Sequence, residues 1–75
     1  MITNLEKEAL EEAIKVIGSQ VALAKLFNIK PQSVNQWLLK GVPAERVISI
    51  EIATKRKGCK VSRYKLKPSI FKAEL

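Results

Sequence analysis

At 75 residues and 8.4 kDa the chain has material for one domain with one small core, which excludes a deep enzyme cleft. Apolar residues make up 47%, a globular value rather than a disordered one. Fourteen Lys and Arg against seven acidic residues give a formal charge of +7, which points to a polyanion partner, with a solvated surface as the plain alternative.

The charge is unevenly placed. Residues 1–18 carry four Glu and two Lys, a net of −2, and the remainder carries +9. Cys59 is the only cysteine and there is no His, so an intrachain disulfide and the usual zinc clusters are excluded. There is also no Asp, no phosphate-binding glycine loop and no paired-carboxylate cleft, so no catalytic residue, metal site, cofactor or small-molecule ligand is expected. The opening MITNLEKEALEE lacks the basic and apolar regions of a signal peptide, and no apolar run is long enough to span a membrane. The expectation is a cytoplasmic, reducing location, without membrane contact.

A first helix is predicted over residues 3–17. Thr3 and Glu6 have capping-box spacing, and Leu5, Ala9, Leu10, Ala13, Ile14, Val16 and Ile17 recur as a broad apolar face. Glu6, Glu8, Glu11 and Glu12 suit the positive end of the helix dipole and are expected on the solvent side. Gly18 stops the helix and Ser19 caps the next, over about 20–27. Asn28 suits a turn that needs positive φ, Ile29 plugs it, and Pro31 opens a third helix that runs to Leu39 or Lys40 and ends at Gly41. Pro43 lies near the first turn of a fourth helix, with Val47, Ile48, Ile50, Ile52 and Ala53 as its apolar positions and Thr54–Lys57 as its end. Beyond Cys59, Ser62 is placed to cap a short helix, SRYKL, stopped by Pro68. Alternation over the same residues also allows an edge strand, but no second strand is evident to pair with it. Tyr64, Leu66, Ile70 and Phe71 then form a lid over the core, a dimer seam, or both.

The segment QVALAKLFNIKPQSVNQWLL, Gln20 to Leu39, carries the most information. Leu23, Ala24, Phe27, Ile29, Val34 and Trp37 are spaced to pack two short helices across a tight turn, leaving an amide-rich face on the second. With Gln20 as the first residue of a twenty-residue helix-turn-helix pattern, these six fall on the packing positions. Asn28 stands where glycine is usual. The chain resembles small phage and bacterial repressors of the Cro type, and more narrowly the Cro/YdaS-like antitoxin family. The signature is GSQVALAKLFNIKPQSVNQWLLKGVPAERVISIEIAT followed by VSRYKLKPSIF, covering most of residues 18–71.

The resemblance implies an all-α, five-helix domain of the lambda-repressor-like DNA-binding type, spanning residues 1–75 as a single domain. It implies a transcriptional repressor that binds double-stranded operator DNA as a homodimer, with the third helix in the major groove. Gln32, Ser33, Asn35 and Gln36 are the base-reading candidates. Gln and Asn carboxamides donate and accept together, which matches the N6/N7 edge of adenine. Ser19, Gln20, Lys25, Lys30 and Lys40 are candidate contacts to the DNA backbone, which set register and salt dependence without a base code. Lys30 falls on the cap of the third helix, where Ser or Thr is the stronger choice.

Trp37 is assigned to packing rather than base stacking, because it shares helical spacing with Val34. Cys59, in the basic loop KRKGCK, has no partner in the sequence and is taken as incidental. Lys55, Arg56, Lys57, Lys60, Arg63, Lys65 and Lys67 form a basic run with two readings, non-specific attraction to DNA or a solvated face. Two other functions stay open: an antitoxin-like autoregulator with a toxin partner, and an RNA-binding or protein-interaction module on the same scaffold.

Overall fold

The computed structural model describes residues 4–68, 70 and 71. It is all helical: α1 (Asn4–Ile17), α2 (Gln20–Leu26), α3 (Pro31–Lys40), α4 (Ala44–Arg56) and α5 (Arg63–Leu66). No strand occurs among the described residues, so the short helix, not the edge strand, is what SRYKL forms. The capping box involves Thr3, which lies outside the described residues.

The helix boundaries follow from local chemistry. Gly18, at φ +130°, lets the chain leave α1. The Ser19 hydroxyl accepts a hydrogen bond from the Ala22 N–H at 3.0 Å and caps α2. At the end of α2, Asn28 adopts φ +54°, the one non-glycine residue with positive φ among those described. The Asn28 N–H donates to the Lys25 carbonyl and the Ile29 N–H to the Ala24 carbonyl. This is the paired closure of a Schellman motif, with asparagine in the usual glycine position and Ile29 folded back onto the core. Pro31 is the first residue of α3, and Lys30 before it makes no side-chain cap.

α1 lies against each of the other four helices. Around it Leu10, Ala13, Leu23, Ala24, Val34, Val42, Val47, Ile50, Val61 and Leu66 are all but inaccessible. Two apolar faces differ from expectation. On α1 the buried set is Glu6, Ala9, Leu10 and Ala13, while Leu5 is 73% exposed. On α4 it is Val47, Ile50, Glu51 and Thr54, while Ile52 is 46% exposed. Each buried set has the i, i+3, i+4, i+7 spacing of one helical stripe. The stripe is continuous only if it takes in a polar residue, so Glu6 turns inward rather than to solvent, and Glu51 and Thr54 displace Ile52.

The polar residues on the α4 stripe join α4 to the chain beyond it. The Thr54 hydroxyl donates to the Ile50 carbonyl at 2.9 Å, with the Glu51 carbonyl at 3.0 Å, and accepts from the Val61 N–H at 2.9 Å. The Glu51 carboxylate accepts from the Arg63 backbone N–H at 2.7 Å and from the Arg63 guanidinium at 3.1 and 2.8 Å. The Arg63 guanidinium beside it holds the Glu51 carboxyl below its ordinary value of 4.5, against a smaller opposing effect of burial. Lys67 donates from Nζ to the Val42 carbonyl at 2.7 Å, which ties the end of α5 to the α3–α4 connection.

Candidate nucleic-acid interface

α3 is a helix of two chemistries. Val34 is fully buried and Trp37 is 8% exposed, with Leu38 packed beside them. Trp37 meets Phe27 of the turn at a centroid distance of 6.3 Å and a 52° tilt. Arg46 of α4 lies 5.6 Å from the Phe27 ring on a cation–π contact. The turn aromatic is thus held between α3 and α4, and α3 cannot roll without breaking these contacts. Trp37 is a packing residue, as its spacing predicted, and is not available to stack on a base.

The opposite side of α3 carries Gln32, Asn35 and Gln36, all exposed, and their carboxamides have no hydrogen bond to the protein among the described residues. Ser33 is half-buried and lies at the edge of that face rather than on it. Gln20 is likewise half-buried at the first position of α2. Ser19 beside it is exposed, with its hydroxyl oxygen already engaged by the Ala22 N–H and its own proton not used by that cap. Lys25, Lys30 and Lys40 are exposed in the last turn of α2, at the cap of α3 and in the last turn of α3. Lys30 and Lys40 therefore stand at the two ends of the helix that carries the carboxamides, and Lys25 belongs to the helix before it. α2 is only seven residues long, so its start offers the Ser19 and Gln20 side chains more than a helix dipole.

Two features escaped the sequence reading. Leu39 is 60% exposed and lies on the carboxamide side of α3. Its spacing of three residues from Gln36 and seven from Gln32 was the available signal. The basic run also divides in two. Arg63 and Lys67 are half-buried and bound to Glu51 and the Val42 carbonyl, whereas Lys55, Arg56, Lys57, Lys60 and Lys65 are exposed. The run is thus divided between two residues that hold the fold and five that stay exposed. The proposed lid divides as well: Leu66 is buried and Phe71 packs on the core under the Arg63 guanidinium, while Tyr64 and Ile70 are 45% and 55% exposed.

Among the described residues no group of His, Cys, Asp or Glu is arranged to hold a metal ion. No helix among them is long and apolar enough to cross a membrane.

Comparison with known proteins places the sequence in a family. Residues 10–75 match the family model described as bacterial toxin YdaS. A protein of Escherichia coli (strain K12) named "Putative transcriptional regulator YdaS" is 47% identical over 53 residues, which cover 67% of this chain and 53% of that relative. The chain thus spans about half the length of the curated relative it matches. No solved structure matches it. A rigid α2–α3 pair with Asn28 at its turn, and a family match that runs through it to the end of the chain, lead to one assignment: the chain belongs to the bacterial toxin YdaS family.

Proposed function

We propose that this chain is a non-enzymatic, sequence-specific DNA-binding transcriptional regulator, a repressor of the Cro type. Residues 1–75 act as one helix-turn-helix module in the cytoplasm of a bacterial host, and occupancy of the operator blocks transcription. The observation that carries this reading is the α3 face, where three carboxamides stand free on a helix clamped from behind by Val34 and Trp37. A free carboxamide on a fixed backbone is suited to paired hydrogen bonds with a base edge, because the backbone is already ordered and only the side-chain rotamers remain to be fixed on binding. The naming of the E. coli relative as a transcriptional regulator supports the same reading.

In this reading Gln32, Asn35 and Gln36 contact base edges, with Ser33 at the margin. Ser19, Gln20, Lys25, Lys30 and Lys40 meet the phosphates on either side. A single module of this kind covers roughly 600–1,000 Å² of protein surface on DNA. A homodimer on a palindromic operator would double it and place the two α3 helices about 34 Å apart, one turn of DNA. Selection from a random duplex library, followed by sequencing, tests all of this together. The expected product is an enriched inverted repeat, and an unenriched pool would sink the proposal.

The family's description as a toxin favours a second reading, in which the chain is one half of a toxin–antitoxin pair and binds both DNA and a partner protein. The neighbouring gene separates the two. A divergent repressor gene favours the Cro reading. An adjacent gene whose product co-purifies with this chain favours the other.

A further inference from the structure

Leu39 is the one large apolar side chain exposed on α3, and it lies in the middle of the helix's outer face. At about 100° per residue, Gln32, Gln36 and Leu39 fall within an arc of about 60°, diametrically opposite Val34, Trp37 and Leu38. Leu39 follows Gln36 by about 4.5 Å along the axis and Gln32 by about 10 Å. Its 60% exposure is not relieved by any neighbouring element, since α3 packs its other side on α1 and α2.

We infer that Leu39 is a base-reading residue, and that it selects the C5-methyl group of a thymine. This rests on the reading of α3 as the helix that enters the major groove. Whatever covers Gln36 must also reach Leu39, less than one turn away. Among the base edges of the major groove the thymine methyl is the largest apolar group; beyond the smaller C5–H of cytosine, the rest are donors and acceptors. A leucine laid over those groups would take them from water and return no hydrogen bond, which costs binding at every base except thymine. Leu39 therefore contributes both an attraction to one base and a penalty against the others. The carboxamides on the same face suit adenine, and the separation of Gln32 and Leu39 spans about three base-pair steps of 3.4 Å. The operator half-site under α3 is accordingly rich in A·T pairs, with a thymine at the end met by the C-terminal turn of the helix.

The probe is the duplex selected from the random library by the wild-type chain. Each thymine in it is replaced singly by deoxyuridine, which removes the methyl group and nothing else. For the wild-type chain, one replacement in each half-site should weaken binding about fourfold, the effect of one lost methyl contact. For Leu39→Ala that same replacement should have no effect, with every other position unchanged. Leu39→Gln should move the selected base at that position away from thymine. Because Leu39 is exposed, both variants should keep the wild-type thermal midpoint, which circular dichroism checks. The inference is overturned if Leu39→Ala retains the wild-type sensitivity to uracil at every thymine. It is equally overturned if Leu39→Ala weakens binding to selected and unselected duplexes alike, which would make Leu39 a contact between protein copies. An unenriched library takes down the α3 reading itself, a result distinct from an enriched operator that is indifferent to Leu39.

Discussion

The α2–α3 pair and the α4–α5 pair are built from similar residues and use their polar side chains in opposite ways. In α2–α3 the contact between helices runs through the apolar Leu23, Ala24, Phe27, Val34 and Trp37, and the carboxamides of α3 point outward with no hydrogen bond among the described residues. In α4–α5 part of the polar set points inward, while Glu45, Lys55, Arg56 and Lys65 stay exposed. Glu51 and Thr54 occupy the buried stripe, and Arg63 and Lys67 are bound to carboxylate and carbonyl oxygens. The difference teaches where recognition can reside in a chain this small. Polar side chains that hold the fold are engaged within it, and the carboxamides of α3, which have no task in the fold, share one face of that helix. α5 has only four residues and cannot be held by a helical stripe of its own, so it is fastened by hydrogen bonds instead.

Substitutions in the two pairs should separate stability from binding, and the largest effect should come from the one position that serves both. Trp37→Ala removes the packing beneath the reading face and should cost about 3–5 kcal/mol, enough to unfold much of the population. Urea denaturation would measure it, and DNA binding should fall in parallel with the folded fraction. Thr54→Val comes next. It leaves the buried Val61 N–H without an acceptor and should cost about 1–3 kcal/mol, with operator preference unchanged in the protein that remains folded. A shift in the selected operator would contradict a separation of stability from recognition in the two helix pairs.

Gln32→Ala and Gln36→Ala should behave in the converse way. Each should weaken binding to the selected operator by about 1–3 kcal/mol and relax preference at one position, while unfolding midpoints stay within about 0.5 kcal/mol of wild type. Equal losses on selected and random DNA would move the reading face elsewhere.

The Glu51–Arg63 pair should appear in the pH dependence. Folding lowers the Glu51 carboxyl below its ordinary 4.5, so its stabilising contribution is complete above that value. It is lost as the pH falls through the lower, folded value. Glu51→Gln should reduce the acid-side loss of stability relative to wild type as the pH falls below 4.5. Identical slopes would mean that the pair is formed without being thermodynamically coupled to folding. The smallest effect is expected of Lys40→Ala, which should weaken binding to all duplexes slightly and lower the salt slope by about one.

The helices and their ends were legible in the sequence because their causes are local. Gly18, Ser19, Asn28, Pro31, Gly41 and Ser62 each act on backbone within a few residues, and the stripe through Val34 and Trp37 is a matter of helical spacing. The amide face of α3 follows from the same spacing, since three side chains opposite a packed tryptophan must face away from it. Leu39 obeys that rule too, although a leucine carries no polar chemistry to mark it as part of the face. What tertiary structure alone decided lies at longer range. The links from Thr54 to Val61, Glu51 to Arg63 and Lys67 to Val42 span 7, 12 and 25 residues, and no periodicity announces them. They determine which face of α4 is buried, and so why Glu51 and Thr54 are inside while Ile52 is out. A helical stripe specifies which residues share a face. Which of several half-apolar faces meets the core depends on the partners that the rest of the chain brings to it.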